Sequence, residues 1–308
     1  MLVADVAAGH PGGVLTIARA GEVCRLGRGL DRTGRVEEEL AARAGAVCAE
    51  FVRRARAIGV AHIVVGATAA LRRSENGIEV ARVIEHGCGL PVRILTGEQE
   101  AQLVYRSVVQ GLGGGAVRSS CVVFDLGGGS TEVVSGVGER AGRWVSLPIG
   151  AVTLTERHLH TDPPRPEEVA ALCDEVRGII AQGCAGMPRE TPLLAGVGGT
   201  ITVLASLDRG LESYDTAMLE GWAIPLARLD ALVDHVVRSP HAVRLSSPVM
   251  GAGRADIVAA GALMVRLLIE RFPSAALVCS TQGLRYGLVR VAADEAAARE
   301  ADLVDPGA

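Results

Sequence analysis

Apolar residues recur along this chain with two alternating periods, and each change of period marks an element. Alternation of apolar and polar residues in "GGVLTIARAGEVCRLG" (12–27) predicts strands. "EEELAARAGAVCAEFVRRARAIG" (37–59) instead repeats every three to four residues and predicts an amphipathic helix. Strands are expected again in "AHIVVGATAA" (61–70) and "PVRILTG" (91–97), then a helix in "EQEAQLVYRSVVQGL" (98–112). After "GLGGGAVRSS" (111–120), which reads as a flexible connector, the plan repeats. "CVVFDLGGGSTEVVSG" (121–136) predicts a strand hairpin, "RWVSLPIG" and "PLLAGVGGT" further strands, and "AVTLTERHL", "PEEVAALCDEVRGIIAQ", "ITVLASL" and "PLARLDALVDHVVRS" helices. "RADIVAAGALMVRLLIERF" is almost wholly apolar and predicts a buried helix, followed by a last strand and turn in "ALVCSTQGLRYGLV" and a surface helix from about Asp294. Strands and helices that alternate in this way argue for α/β architecture. A division into residues 1–115 and 116–308 is expected. "LVADVAAG" laid over "VVFDLGGG" puts Asp5 on Asp125, so the two parts resemble each other, and a ligand cleft is expected between them.

Composition narrows the chemistry. With 49% hydrophobic residues in 308 the chain can bury a substantial core, and a formal charge of -4 gives no bulk attraction to nucleic acid or acidic lipid. All 31 basic residues are arginine, which removes Schiff-base and Walker-lysine mechanisms. The seven cysteines form an odd set without a C-x-x-C pair, as buried thiols of a reducing cytosol would. Neither a signal peptide nor a membrane span is expected, since the most apolar run, "IVAAGALMVRLLI", is short and carries Arg266.

Candidate chemistry gathers around glycine turns. Gly127, Gly128 and Gly129 permit a turn with positive φ and let backbone N–H groups approach a phosphate oxygen, with Ser130 and Thr131 adding hydroxyls. The turn alone is equally an ordinary glycine hairpin. Asp125 and Glu132 flank it, where they could hold Mg²⁺ or simply accept turn N–H bonds. Gly196 to Gly199 form a second turn, running into a helix whose N-terminus with Thr200 favours an anion. Glu98 and Glu100 begin a helix, where acids complement the dipole, although a carboxylate there could also activate water. Arg72 and Arg73 could bind phosphate through the guanidinium fork. His158 and His160, two residues apart, face different sides of a helix and make a poor metal pair.

In order, "GATAALRRSENG", "TGEQEAQLVY", "VVFDLGGGSTEVV", "SLPIGAVTLTERHL", "LAGVGGTITVLASL", "GRADIVAAGALMV" and "GLRYGL" resemble the exopolyphosphatase/guanosine pentaphosphate phosphohydrolase family over nearly the whole chain. The resemblance, to the short two-domain form, implies duplicated actin-like ATPase (ribonuclease H-like) α/β domains. It also implies Mg²⁺-assisted removal of a terminal phosphate from inorganic polyphosphate or guanosine pentaphosphate (pppGpp), in a cytoplasmic homodimer. By motif position Glu100, rather than Glu98, matches the general base, and Asp125 and Glu132, with Asp5, match acids that hold the metal or orient water. Gly127, Gly128, Gly129 and Ser130 match one phosphate-binding turn, Gly198, Gly199 and Thr200 the other, and Arg72 a phosphate-binding arginine.

Departures from the pattern are specific. The family's opening D-x-G-S-N-S hairpin is here Asp5 followed by "VAAGHPGG", without the Ser and Asn donors, which implies weakened activity. Glu220 stands where histidine is usual, Thr281 where aspartate is, and Tyr286 where glutamate is. The competing expectation is a family member that binds polyphosphate or a nucleotide as a regulator with little turnover. A sugar or acid kinase of the same superfold fits less well, because the motifs around Glu100 suit activation of water.

Overall fold

A computed structural model of the chain describes residues 1–7, 13–113, 119–251 and 253–304, apart from the side chains of 300–304. The elements run β1 (Leu2–Val6), β2 (Val14–Arg19), α1 (Leu30–Thr33), α2 (Glu38–Ile58), β3 (Val65–Ala67), α3 (Ala69–Arg73), α4 (Gly77–Cys88), β4 (Val92–Ile94) and α5 (Gly97–Gly111). There follow β5 (Ser120–Leu126), β6 (Thr131–Val137), β7 (Arg140–Leu147), α6 (Ala151–His158), α7 (Pro166–Gly183), β8 (Leu193–Val197), α8 (Gly199–Arg209) and α9 (Thr216–Leu219). The chain closes with β9 (Ala223–Pro225), α10 (Leu226–Arg238), α11 (His241–Ser246), α12 (Val258–Arg271), β10 (Ala276–Cys279) and α13 (Leu284–Val304).

Two compact units result, Met1–Leu103 with Leu284–Ala308, and Val104–Gly283. The boundary falls inside α5 rather than at 115/116, and α13 groups with the first unit although the sequence division put it in the second. The reason is what α13 touches. Leu288 packs where a Cβ on Gly66 of β3 would come within 2.9 Å, and Arg19 donates to the Tyr286 hydroxyl at 3.0 Å. Glu295 accepts from Arg93 of β4 and pairs with His62 at 3.2 Å.

In the first unit, β1 and β2 form an antiparallel hairpin and β3 pairs parallel with β4. Residues 20–26 carry no strand, against the alternating pattern, because Arg25 turns into the left-handed region at φ 53 and breaks an extended course. Helix α2 lies close to α4: a Cβ on Gly87 would come within 3.1 Å of the Gly45 carbonyl. Asn76, ahead of α4, is buried and exchanges hydrogen bonds of 2.9 Å in both directions with the Val36 backbone.

The second unit is built on a sheet ordered β7-β6-β5-β8-β10-β9, in which β5, β8 and β10 are parallel and β5, β6 and β7 form an antiparallel meander. Val122, Phe124 and Leu126 alternate onto a core shared with α6, α7, α8 and α12. Cys121 points the other way, its sulfur 3.0 Å from the buried Tyr105 hydroxyl of α5. Asp125 follows in that same two-residue alternation, at the strand's carboxyl end. Helix α12 is buried almost all round, as its apolar text requires, and no helix among the described residues is long and apolar enough to cross a membrane. Each fully buried Leu there contributes about 1.5–3 kcal/mol of transfer free energy. All seven cysteines are free thiols, four of them buried.

The Glu295 clamp makes a pH-dependent prediction. Hydrogen bonds first from Arg93 and then from His62 lower its carboxyl to about 2 from an ordinary 4.5. A depressed folded-state pKa gives stabilisation that is complete above the unfolded value and disappears as pH falls through the folded value. Glu295→Gln is therefore expected to lower the unfolding temperature at pH 7, with the difference from wild type narrowing below about pH 4.5 and closing near pH 2. Parallel thermal melts across that range check it; a difference constant with pH would refute the clamp.

Candidate active site

Helix α5 begins with a reciprocal cap: the Gln99 N–H donates to Thr96 Oγ1 at 3.1 Å, and the Thr96 N–H donates to Gln99 Oε1 at 2.9 Å. This fixes the first turn and so the directions of its two acids. Glu98 is exposed, with Gln102 donating to it at 3.2 Å, whereas Glu100 is buried. Arg72 Nη1 donates to Glu100 Oε2 at 2.8 Å and to the Leu95 carbonyl at 2.9 Å. The guanidinium thus offsets the charge of a carboxylate that is only 7% exposed. Arg72 is the ion-pair partner of Glu100, a link that the linear motif did not reveal. Asp5 sits in the same unit, exposed on β1 and opposite Leu15 of β2.

The first glycine turn lies in the second unit. Asp125 and Glu132 are direct cross-strand partners in the β5–β6 ladder, so both side chains leave the same face of the sheet, with Cβ atoms about 4.5–5.5 Å apart. Ser146 is the next partner along the row and donates to Glu132 Oε1 at 2.7 Å. Neither Gly127 nor Gly128 takes a positive φ, contrary to expectation. Clearance is what they supply: a Cβ on Gly127 would lie 2.9 Å from the Ser130 carbonyl within the turn, and one on Gly128 3.1 Å from Val152 Cγ2 of α6, whose first turn rests on their backbone. The Ala151 N–H donates to the Gly127 carbonyl at 3.0 Å, and those of Val152 and Thr153 to the Gly128 carbonyl at 2.8 and 3.2 Å. A Cβ on Gly150 would lie 2.5 Å from the Gly127 oxygen. A trans peptide carries its C=O and N–H on opposite sides. With both carbonyls turned toward α6, the N–H groups of Gly128 and Gly129 are turned away from it, an orientation able to meet an anion. Ser130 is buried beside them.

The second turn abuts the first. Asp125 is in parallel register with Val197, and Gly198, at φ 119, passes so close that a Cβ would come within 2.5 Å of the Leu126 carbonyl. The turn leads into α8, whose first amides have no acceptor within the helix. Thr200 departs from expectation: its hydroxyl is directed at α12, 2.2 Å from where a Cβ on Gly261 would stand, so its backbone N–H is the group it offers at the helix start. Arg254, in "GRADIVAAGALMV", joins this turn. Its Nε lies 3.0 Å from the Cβ position of Gly199, placing a cation at the α8 N-terminus, and its Cζ is 5.9 Å from the Tyr214 ring centroid. An arginine just ahead of an apolar helix was the available signal.

Two altered positions turn out to be neighbours. Glu220 accepts from Ser280 Oγ at 2.8 Å and from both the N–H and the hydroxyl of Thr281 at 2.6 Å. Tyr286 belongs elsewhere: its hydroxyl lies 3.1 Å from Thr16 Oγ1 of β2. Of "VAAGHPGG", residues 8–12 fall outside the described residues, and so do residues 114–118 of the connector. His158 is engaged by Glu175 at 2.6 Å.

The donor set at the β5–β6 end suits Mg²⁺, a hard cation that takes one or two carboxylates and completes its octahedron with water and substrate phosphate. Among the described residues no group of three or more His, Cys, Asp or Glu could hold a metal by itself.

Comparison with known proteins accords with this geometry. Residues 2–295 match the Ppx/GppA phosphatase family. The chain is 34% identical over 277 residues to exopolyphosphatase 2 of Mycobacterium tuberculosis, covering 87% of this chain and 85% of that protein. A Ppx/GppA family member from Aquifex aeolicus superposes with a TM-score of 0.78 at 28% identity, covering 94% of this chain and 91% of that one. An exopolyphosphatase from Cytophaga hutchinsonii gives 0.84 at 23% identity, covering 96% and 94%, a likeness of fold alone. The fold is the α/β fold of the solved Ppx/GppA family members.

Proposed function

Because the chain belongs to the Ppx/GppA phosphatase family, we propose that it is an exopolyphosphatase, a hydrolase that removes the terminal phosphate of inorganic polyphosphate with Mg²⁺. One observation carries the reading: a cross-strand carboxylate pair, Asp125 and Glu132, flanks a turn whose amides face away from α6 and which abuts the α8 N-terminus. A polyanion that arrives with a divalent cation is matched by that combination of acids and backbone donors. In this reading Glu100 takes the proton of a water whose oxygen attacks the terminal phosphorus, the bond to the bridging oxygen breaks, and the shortened chain leaves. Gly128, Gly129 and the first amides of α8, with Arg254, hold the phosphate oxygens. Asp125 and Glu132 would hold Mg²⁺, which neutralises charge developing on those oxygens. Guanosine pentaphosphate is the second substrate proposed, in a cytoplasmic homodimer. The test is phosphate release from polyphosphate, pppGpp and ATP with Mg²⁺, beside direct binding of each. Release from polyphosphate is expected. Binding without release from any of them would replace the enzyme with a regulatory polyphosphate-binding protein.

A further inference from the structure

We propose that Glu220 is a positioning residue, which locks the loop Ser280–Gly283 against Asp125 and thereby sets how tightly the carboxylate pair holds its cation. The inference rests on the metal role proposed above. The Glu220 carboxylate accepts three hydrogen bonds, one from the Ser280 hydroxyl and two from the N–H and hydroxyl of Thr281. Ser280 is wholly buried, its hydroxyl accepts from the Gln282 N–H at 3.2 Å, and its own N–H donates to the Gly196 carbonyl of β8 at 2.9 Å. The anchor is itself fixed, since the Gly221 N–H donates to the Cys279 carbonyl at 2.9 Å and the Cys279 N–H to the Trp222 carbonyl at 2.8 Å.

At the loop's end, Gly283 is seated on Val197 so closely that a Cβ would lie 2.7 Å from Val197 Cγ1, and 3.9 Å from Asp125 Oδ2. Nothing bulkier than glycine backbone fits there, so the loop's position defines one wall around the Asp125 carboxylate. Every bond that Glu220 accepts comes from a donor. Glutamine has the same shape but is uncharged, and its NH₂ can only donate, so the Ser280 hydroxyl bond must reverse and the bonds from Thr281 lose their charge-assisted strength, which loosens the clamp.

The experiment compares wild type, Glu220→Gln and Thr281→Val, the last removing one hydroxyl while keeping the N–H. Three measurements are made on each: Mn²⁺ binding to substrate-free protein by calorimetry, kcat and KM for polyphosphate against Mg²⁺ concentration, and hydrogen exchange of the 280–283 amides. Glu220→Gln is expected to weaken Mn²⁺ binding and raise the Mg²⁺ requirement about 10–100-fold, as loss of a residue supporting a metal ligand does. KM at saturating Mg²⁺ should stay near wild type, amide exchange in the loop should quicken, and Thr281→Val should show the same changes to a smaller degree. A merely structural residue would lower the unfolding temperature without altering the Mg²⁺ requirement, and that result overturns the proposal. Should Glu220→Gln not fold, Thr281→Val with unaltered Mn²⁺ binding overturns it equally. Wild type that binds no divalent cation would instead defeat the metal assignment itself, and this inference with it.

Discussion

Glu100→Gln is expected to reduce polyphosphate turnover by about 10²–10⁴-fold, while KM and the affinity for unreactive phosphate chains stay near wild type. Glutamine fills the same volume at the start of α5 and still accepts from Arg72, so the ion pair becomes a hydrogen bond from the guanidinium to an amide oxygen rather than a void. What disappears is the proton acceptor. The control is built into the helix: Glu98 lies two residues earlier, exposed, on a side about 200° away. Glu98→Gln should cost only the helix-terminus effect, about 0.3–1 kcal/mol of stability, with turnover unchanged. Steady-state kinetics on the three proteins decide the matter. Equal turnover by Glu100→Gln would remove this residue from the mechanism.

Chelation should have a comparable effect by a different route. EDTA is expected to take phosphate release to background and added Mg²⁺ to restore it. Asp125→Asn should remain about 10²–10³-fold below wild type even in saturating Mg²⁺, in proportion to the several kcal/mol of transition-state charge stabilisation that a metal provides. The structural basis is the register of the β5–β6 ladder, which sets Glu132 directly across from Asp125. Full activity in chelator would refute the metal assignment, whereas loss of activity in Asp125→Asn with native calorimetric Mn²⁺ binding would move Asp125 from the metal to the water.

Much of this was legible in the chain, and the illegible parts share a cause. The hairpin, its acids and the two glycine turns are local, so short-range pattern reached them. Helix α2 was also legible, at 37–59 against the observed Glu38–Ile58. Helix α4 is carried by the period of Val80, Ala81, Ile84 and Cys88, a short amphipathic run between the arginines of α3 and the strand β4. Non-local facts were out of reach. That Arg72 meets Glu100, that Glu220 meets Thr281, and that Gly128 and Gly150 let α6 approach the turn all depend on residues brought together from distant positions. The same holds for α13. Its first turn read as the tail of a strand, since nothing nearby in the chain shows that Leu288 and Glu295 have partners in β3 and β4 and near His62.

The split composition of the first unit has a consequence for the ribosome. Residues Met1–Leu103 emerge first, yet the helix that completes their unit is translated only after the whole of Val104–Gly283. At about 5–20 residues per second the wait is on the order of ten to forty seconds. Through that interval β3 lacks Leu288 against it, and Arg93 and His62 lack their carboxylate. The uninterrupted second unit has no such delay. Translation order therefore favours maturation of the inserted half first, leaving the amino-terminal half as the one that nascent-chain chaperones must shelter.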